Sequence, residues 1–147
     1  MTRGDATGRI LEAKRQRGLT FAAIARAVGR HPVWVAAALL GQATMSREEA
    51  EKAGEVLGLA PEVVAALQEI PSRGALETAV PADPLLYRFY EILQVYGPAF
   101  KAVIHELFGD GIMSAIDFEL DVRRQPDPAG DRVVVTLNGK FLPYKKW

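Results

Sequence analysis

Residues 99–122 read AFKAVIHELFGDGIMSAIDFELDV, and a change of period inside this stretch decides the fold class. Before the glycines, Phe100, Val103, Ile104, Leu107 and Phe108 recur three and four apart, so they share one face of a helix. After Gly109-Asp110-Gly111 the spacing drops to two. Ile116, Phe118, Leu120 and Val122 alternate with Asp117, Glu119, Asp121 and Arg123, the pattern of a strand with one buried and one wet face. Ser114 stands just ahead of that strand. A chain that turns from helix to strand here, after a helical first half, is α+β.

Upstream, Asp83 and Pro84 supply a cap and a first helical residue for a helix bearing Leu85, Leu86, Phe89, Ile92, Leu93 and Tyr96. Gly97-Pro98 is expected to end it and to start the next. Downstream, residues 126–131 read as a turn and Val133 to Leu137 as a second strand. Asn138-Gly139 is a type I′ hairpin signal leading to Phe141 and Leu142. A sheet of two or three strands has two open edges and a short core, and is marginal alone. Val133-Val134-Val135 is apolar on consecutive positions, so both faces of that strand need cover. The expectation is a sheet completed by a partner subunit in a dimer or larger assembly.

The first seventy residues read as five short helices. One spans residues 6–17. Thr20 caps a second, with Phe21, Ile24, Ala25 and Val28 on one face and Gly29 at its end. A third runs from Pro32 through Trp34 to Leu40. Ser46 and Glu49 form a capping box ahead of Ala50, Ala53, Val56 and Leu57, and Pro61 opens a fifth helix with Val63, Val64, Leu67 and Ile70. The expected architecture is a helix-turn-helix-like, λ-repressor-like bundle over residues 1–70, a linker over 71–83, and a small α+β catalytic and dimerisation domain over 84–147.

Composition narrows the function. The 147 residues carry 18 basic and 18 acidic side chains, with ten and nine up to residue 80 and eight and nine after it. Neither part has a basic arm or an acidic tail, so no generic attraction to nucleic acid or anionic lipid is expected. With no cysteine, disulfides, thiolate ligands and a cysteine nucleophile are excluded. His31 and His105 lie too far apart for a His-rich zinc site. No segment has the length of a membrane span and the N-terminus has no signal-peptide core, so a cytoplasmic location is expected.

Leu19 to Gly41 has helix-turn-helix spacing, which suggests a transcription regulator with a C-terminal dimerisation domain. The recognition helix would be Pro32-Val33-Trp34-Val35-Ala36-Ala37-Ala38-Leu39-Leu40, which carries none of the Arg, Lys, Asn or Gln side chains that read base edges. Only Arg26 and Arg30 could meet phosphates. A helix apolar all round is expected to be buried, in its own bundle or at a subunit interface. Elsewhere, Arg88 and Glu91 stand three apart on the Asp83 helix among Tyr87, Tyr90 and Tyr96, and read either as an anion site or as an ordinary ion pair. Ser114, behind Gly109-Asp110-Gly111, reads as an anion-binding hydroxyl or as a turn serine. His105, beside Glu106, reads as a solvated or interface histidine rather than as a general base.

Two long blocks carry a resemblance. DPLLYRFYEILQVYG (83–97) and HELFGDGIMSAIDF (105–118) resemble cyanase (cyanate hydratase, or cyanate lyase), supported by AAALLGQ (36–42) and LNGKFLP (137–143). The likeness runs from about Leu19 onward. It implies a catalytic arginine, glutamate and serine at Arg88, Glu91 and Ser114. It also implies bicarbonate-dependent decomposition of cyanate to carbon dioxide and carbamate, the latter breaking down to ammonia and carbon dioxide. No metal or organic cofactor is implied. The implied assembly is a homodecamer of five dimers with active sites at subunit interfaces, and neither nucleic acid nor membrane is a partner. An assembly protein without chemistry is a third reading beside the enzyme and the regulator.

Overall fold

In the computed structural model, which describes residues 1–74 and 76–147, the chain divides into an N-terminal unit, Met1–Ala75, and a C-terminal unit, Leu76–Trp147. The expected linker over 71–83 includes position 75, which lies outside the described residues. The others in that range form neither helix nor strand.

Local end signals set the helices of the first unit. Helix α1 (Arg3–Gln16) begins earlier than residue 6, because Thr2 and Asp5 make a capping box ahead of it. Helix α2 (Phe21–Val28) is capped by Thr20 and closed by Gly29 in the left-handed region. Helix α3 (Pro32–Leu39) starts behind His31, whose Nδ1 accepts from the Val33 amide. Helix α4 (Arg47–Leu57) has the Ser46–Glu49 capping box and ends at left-handed Gly58, and α5 (Pro61–Ala66) opens on its proline. These helices enclose Ile10, Ile24, Val35, Leu39, Met45, Leu57, Val63 and Leu67. At Gly54 a Cβ would lie 2.5 Å from Val64 Cγ2, so α4 and α5 approach closely only because that side chain is missing.

Two charged residues tie the bundle together. The Arg3 guanidinium donates to the carbonyls of Ala38, Ala43 and Ala66, satisfying acceptors at the ends of α3 and α5. Glu49 is buried, bonds the Ser46 amide and takes Arg30 as its cation. Helix α3 departs from the expectation of burial all round. Val35, Ala38 and Leu39 are buried, but Leu40 at its end is exposed and Val33, Trp34, Ala36 and Ala37 are half-buried. A two-turn helix at the rim of a small bundle has neighbours on one side only.

The second unit contains one long helix and one hairpin. Helix α6 (Pro84–Phe108) is capped by Asp83 and runs unbroken through Pro98, so the expected break at Gly97-Pro98 does not occur. The proline lacks an N–H, and the Gln94 carbonyl loses its helical partner. The apolar positions on either side stay in phase, however, from Leu86, Phe89 and Leu93 through Phe100, Val103 and Leu107, and they line up only on a continuous helix.

Strands β1 (Gly111–Gln125) and β2 (Arg132–Pro143) pair antiparallel. The turn between them is the expected one, held by the Gly130 amide on the Asp127 carbonyl. The second turn expected at Asn138-Gly139 is absent. Both residues lie inside β2, opposite Glu119 and Phe118, and neither has the positive φ of a type I′ turn. The irregularity sits on the other strand. Met113 pairs with Phe141 and Phe118 with Gly139, so Ser114, Ala115, Ile116 and Asp117 face Lys140 alone. This wide bulge moves Ser114 inside β1 rather than ahead of it, and throws Ile116 out of the expected buried row, where it is 98% exposed.

No residue of α6 is buried within the chain, and Phe108 stacked on Phe141 joins it to the hairpin. Phe89, Ile92, Leu93, Phe100, Val103, Val122 and Val133 are all exposed. Among the described residues no helix is long and apolar enough to cross a membrane.

Candidate active site

Arg88 and Glu91 fall on the first turns of α6, set there by the Asp83 cap and the Pro84 start. Three residues apart, they lie on adjacent positions of one helix face. Arg88 Nη1 donates to Glu91 Oε2 at 2.6 Å, with the two side chains 61% and 47% exposed in the single chain. That bond uses one of the five N–H donors of the guanidinium. The Arg88 guanidinium also lies 5.8 Å from the Tyr87 ring centre, and Tyr87 in turn rests tilted against Tyr90 at 5.9 Å. The aromatic pair confines the arginine from one side. The arrangement offers a planar cation, oriented by a carboxylate, on an open face.

Ser114 is placed by the bulge. Its carbonyl packs against Gly139, where a Cβ would stand 2.4 Å from that oxygen. Its Oγ accepts from the amides of Ile116 at 3.0 Å and Asp117 at 2.9 Å. The side chain is only 6% exposed. A serine hydroxyl has two acceptor sites and one donor proton. Both acceptor sites are engaged by local amides, so what remains is an O–H donor, with no acceptor for it among the described residues. Chemically this is a fixed donor, poorly suited to act as a base and well suited to bond an anion.

The structure thus pairs Arg88 with Glu91, while no hydrogen bond among the described residues joins either of them to Ser114. Two surface grooves among the described residues do not unite them. One is lined by Arg47, Glu51, Gly58 and Val64 on the bundle, and another by Asp117, Phe118, Glu119, Asn138 and Lys140 on the sheet. Among the described residues no group of three or more His, Asp or Glu is arranged to hold a metal ion. His105 is held between Lys101 and the Gly111 carbonyl, both 3.4 Å away, which gives it a place at the helix-to-strand corner. The residue that sequence reading passed over is Gly139. The Asn-Gly pair pointed to a turn, whereas its use here is to leave room for the Ser114 backbone.

Comparison with known proteins places both units. The family description "Cyanate hydratase, N-terminal" matches residues 3–71, and "Cyanate lyase C-terminal domain" matches residues 78–146. A cyanate hydratase from a Synechococcus species is 59% identical over 141 residues, which is 96% of this chain and 94% of that protein. A second, from Parasynechococcus marenigrum, is 56% identical over 147 residues and the full length of both. Among solved structures, the crystal structure of cyanase from T. urticae superposes with a TM-score of 0.84 at 39% identity, covering 94% of this chain and 96% of that one.

Proposed function

The chain belongs to the cyanate hydratase (cyanase, cyanate lyase) family of enzymes, and from that membership we propose bicarbonate-dependent decomposition of cyanate, with Arg88, Glu91 and Ser114 as catalytic residues. The observation that carries the residue assignment is Ser114, a residue 6% exposed whose hydroxyl has both acceptor sites taken by amides. It is a buried donor waiting for an acceptor.

Both substrates are monoanions that repel each other in water, so bringing them together needs fixed positive charge and preorganised donors. A bicarbonate oxygen attacks the cyanate carbon and forms a C–O bond, while the nitrogen takes up two protons, the one bicarbonate carried and one more. The bond from that oxygen to the bicarbonate carbon then breaks, and carbon dioxide leaves. Cyanate, bicarbonate and one proton thus give carbamate and carbon dioxide. Carbamate with a second proton gives ammonia and another carbon dioxide in solution. Arg88 holds negative charge as it gathers on the carboxylate-like complex, and Ser114 donates to one of its oxygens. Glu91 orients Arg88, a role supported by their 2.6 Å bond.

The site is proposed to close between subunits, in a cytoplasmic homodecamer of five dimers whose partners complete the strands. Support comes from α6, none of whose residues is buried within the chain, and from the large apolar side chains that α6 and the hairpin leave exposed. The bundle, helix-turn-helix-like in α2 and α3, is assigned to assembly. Arg30, one of the two arginines that a DNA-facing bundle would turn to phosphates, is committed to Glu49, and the exposed positions of α3 carry no base-reading side chain. The comparisons favour the enzyme over a DNA-binding regulator.

The test is turnover against bicarbonate. Ammonia release from cyanate should rise saturably with added bicarbonate, with two carbon dioxide molecules formed per ammonia. Cyanate loss at an unchanged rate in bicarbonate-free buffer overturns the proposal.

A further inference from the structure

Gly139 follows asparagine in a pair that signals a turn, yet it makes no turn here. It sits in extended β2 opposite Phe118, at the edge of the four-residue bulge in β1. A Cβ on it would meet the Ser114 carbonyl at 2.4 Å and the Met113 Cγ at 2.5 Å. The methionine side chain can swing away. The carbonyl cannot, because it belongs to the backbone of the bulge itself. Ser114 is in turn bound to that bulge through the Ile116 and Asp117 amides.

We infer that Gly139 is a positioning residue for catalysis: its missing side chain lets β2 press against the Ser114 carbonyl and so fixes where the Ser114 hydroxyl proton points. The inference rests on the assignment of Ser114 to the active site. Any side chain at 139 pushes the Ser114 carbonyl outward, and the peptide plane that follows turns with it. The two amides that hold Oγ then shift, and the donor loses its aim while the rest of the hairpin keeps its register. A displacement near 1 Å of a group that must meet a reacting anion costs roughly a hundredfold in turnover.

The experiment compares Gly139→Ala, Ser114→Ala and the double variant in the assembled protein, with Gly8→Ala as a control in open space on α1. Gly139→Ala should lower kcat roughly ten- to a hundredfold with the oligomer intact. Amide hydrogen exchange should speed up at Ile116 and Asp117 but stay slow at Leu120 and Leu137, which pair farther along the hairpin. In the double variant the alanine at 139 should add no further loss to that of Ser114→Ala, because it acts through the serine. Gly139→Ala with wild-type kcat and unchanged exchange at Ile116 and Asp117 overturns the inference, as does a full additional loss in the double variant. If Ser114→Ala keeps wild-type turnover, the assignment of Ser114 fails instead. Failure of Gly139→Ala to assemble, or protection lost along the whole hairpin, refutes a local positioning role.

Discussion

Replacing Arg88 by Ala separates a catalytic arginine from a structural one, because the geometry assigns it very different costs in the two roles. Its single ion pair, to Glu91, is 2.6 Å long but lies between side chains 61% and 47% exposed. Exposed pairs of this kind contribute about 0–1 kcal/mol, and an i,i+3 pair on a helix about 0.3 kcal/mol once screening is counted. Alanine is also the best helix former, which offsets part of that. For a chain of this length the expected shift in Tm is then about 1–2 °C. Catalysis is another matter. Removing one preorganised group that stabilises a developing anion costs about 3–4 kcal/mol, a loss of roughly a hundred- to a thousandfold in kcat. Arg88→Lys keeps the charge but not the planar fork, and should fall between. The assay is ammonia release at saturating cyanate and bicarbonate, run beside thermal unfolding and sedimentation velocity. Turnover within threefold of wild type removes Arg88 from the site. A Tm drop of 10 °C, or dissociation of the assembly, refutes the division between an exposed pair and a working cation.

Two further perturbations test the fold around that site. Burial alone would raise the Glu49 carboxyl, but its bonds to Ser46 and Arg30 outweigh this and hold it below its ordinary value. A carboxyl depressed in the folded state stabilises fully above its unfolded pKa, near 4.3, and that contribution drains away as pH falls through the folded value. Glu49→Gln should therefore cost about 1–2 kcal/mol at pH 7 and much less near pH 3, and a cost that does not shrink in acid would contradict the linkage. Leu93 is 58% exposed on α6 in the single chain. Leu93→Asp should split the oligomer and abolish turnover while leaving the bundle unfolding signal in place, because a buried leucine contributes about 1.5–3 kcal/mol per copy. Unchanged sedimentation of that variant would show that this face of α6 is not an interface.

Much of the architecture was legible in the sequence because the signals concerned are local. A capping hydroxyl or carboxylate bonds an amide two or three residues away, so Thr20, Ser46 and Asp83 mark helix starts whatever surrounds them. The change of period after Gly109 likewise marked the passage from helix to sheet. Three readings failed for a common reason. Gly97-Pro98 has every local mark of a break, Asn138-Gly139 every mark of a turn, and Ile116 the right parity for a buried row. In each case the outcome depended on more than the local pair, whether an apolar stripe kept in phase along the whole of α6 or a strand that bulges opposite a glycine distant in sequence.

The candidate site divides along the same line. Arg88 and Glu91 meet because α6 is a helix, and their i,i+3 spacing suffices to bring guanidinium and carboxylate together. The two blocks around residues 83–97 and 105–118 were enough to point to the family, since a long ordered match records chemistry that composition and charge do not. Ser114 is different. Its burial and its two amide partners exist only because β2 lies against β1 with four residues facing one. Helix caps, period and the arginine–glutamate spacing are properties of neighbours along the chain, and the sequence by itself determined them. The aim of the serine donor is a property of two backbones pressed together at Gly139, where a missing Cβ is read by a carbonyl 25 residues away in the chain. Only the tertiary structure could decide it.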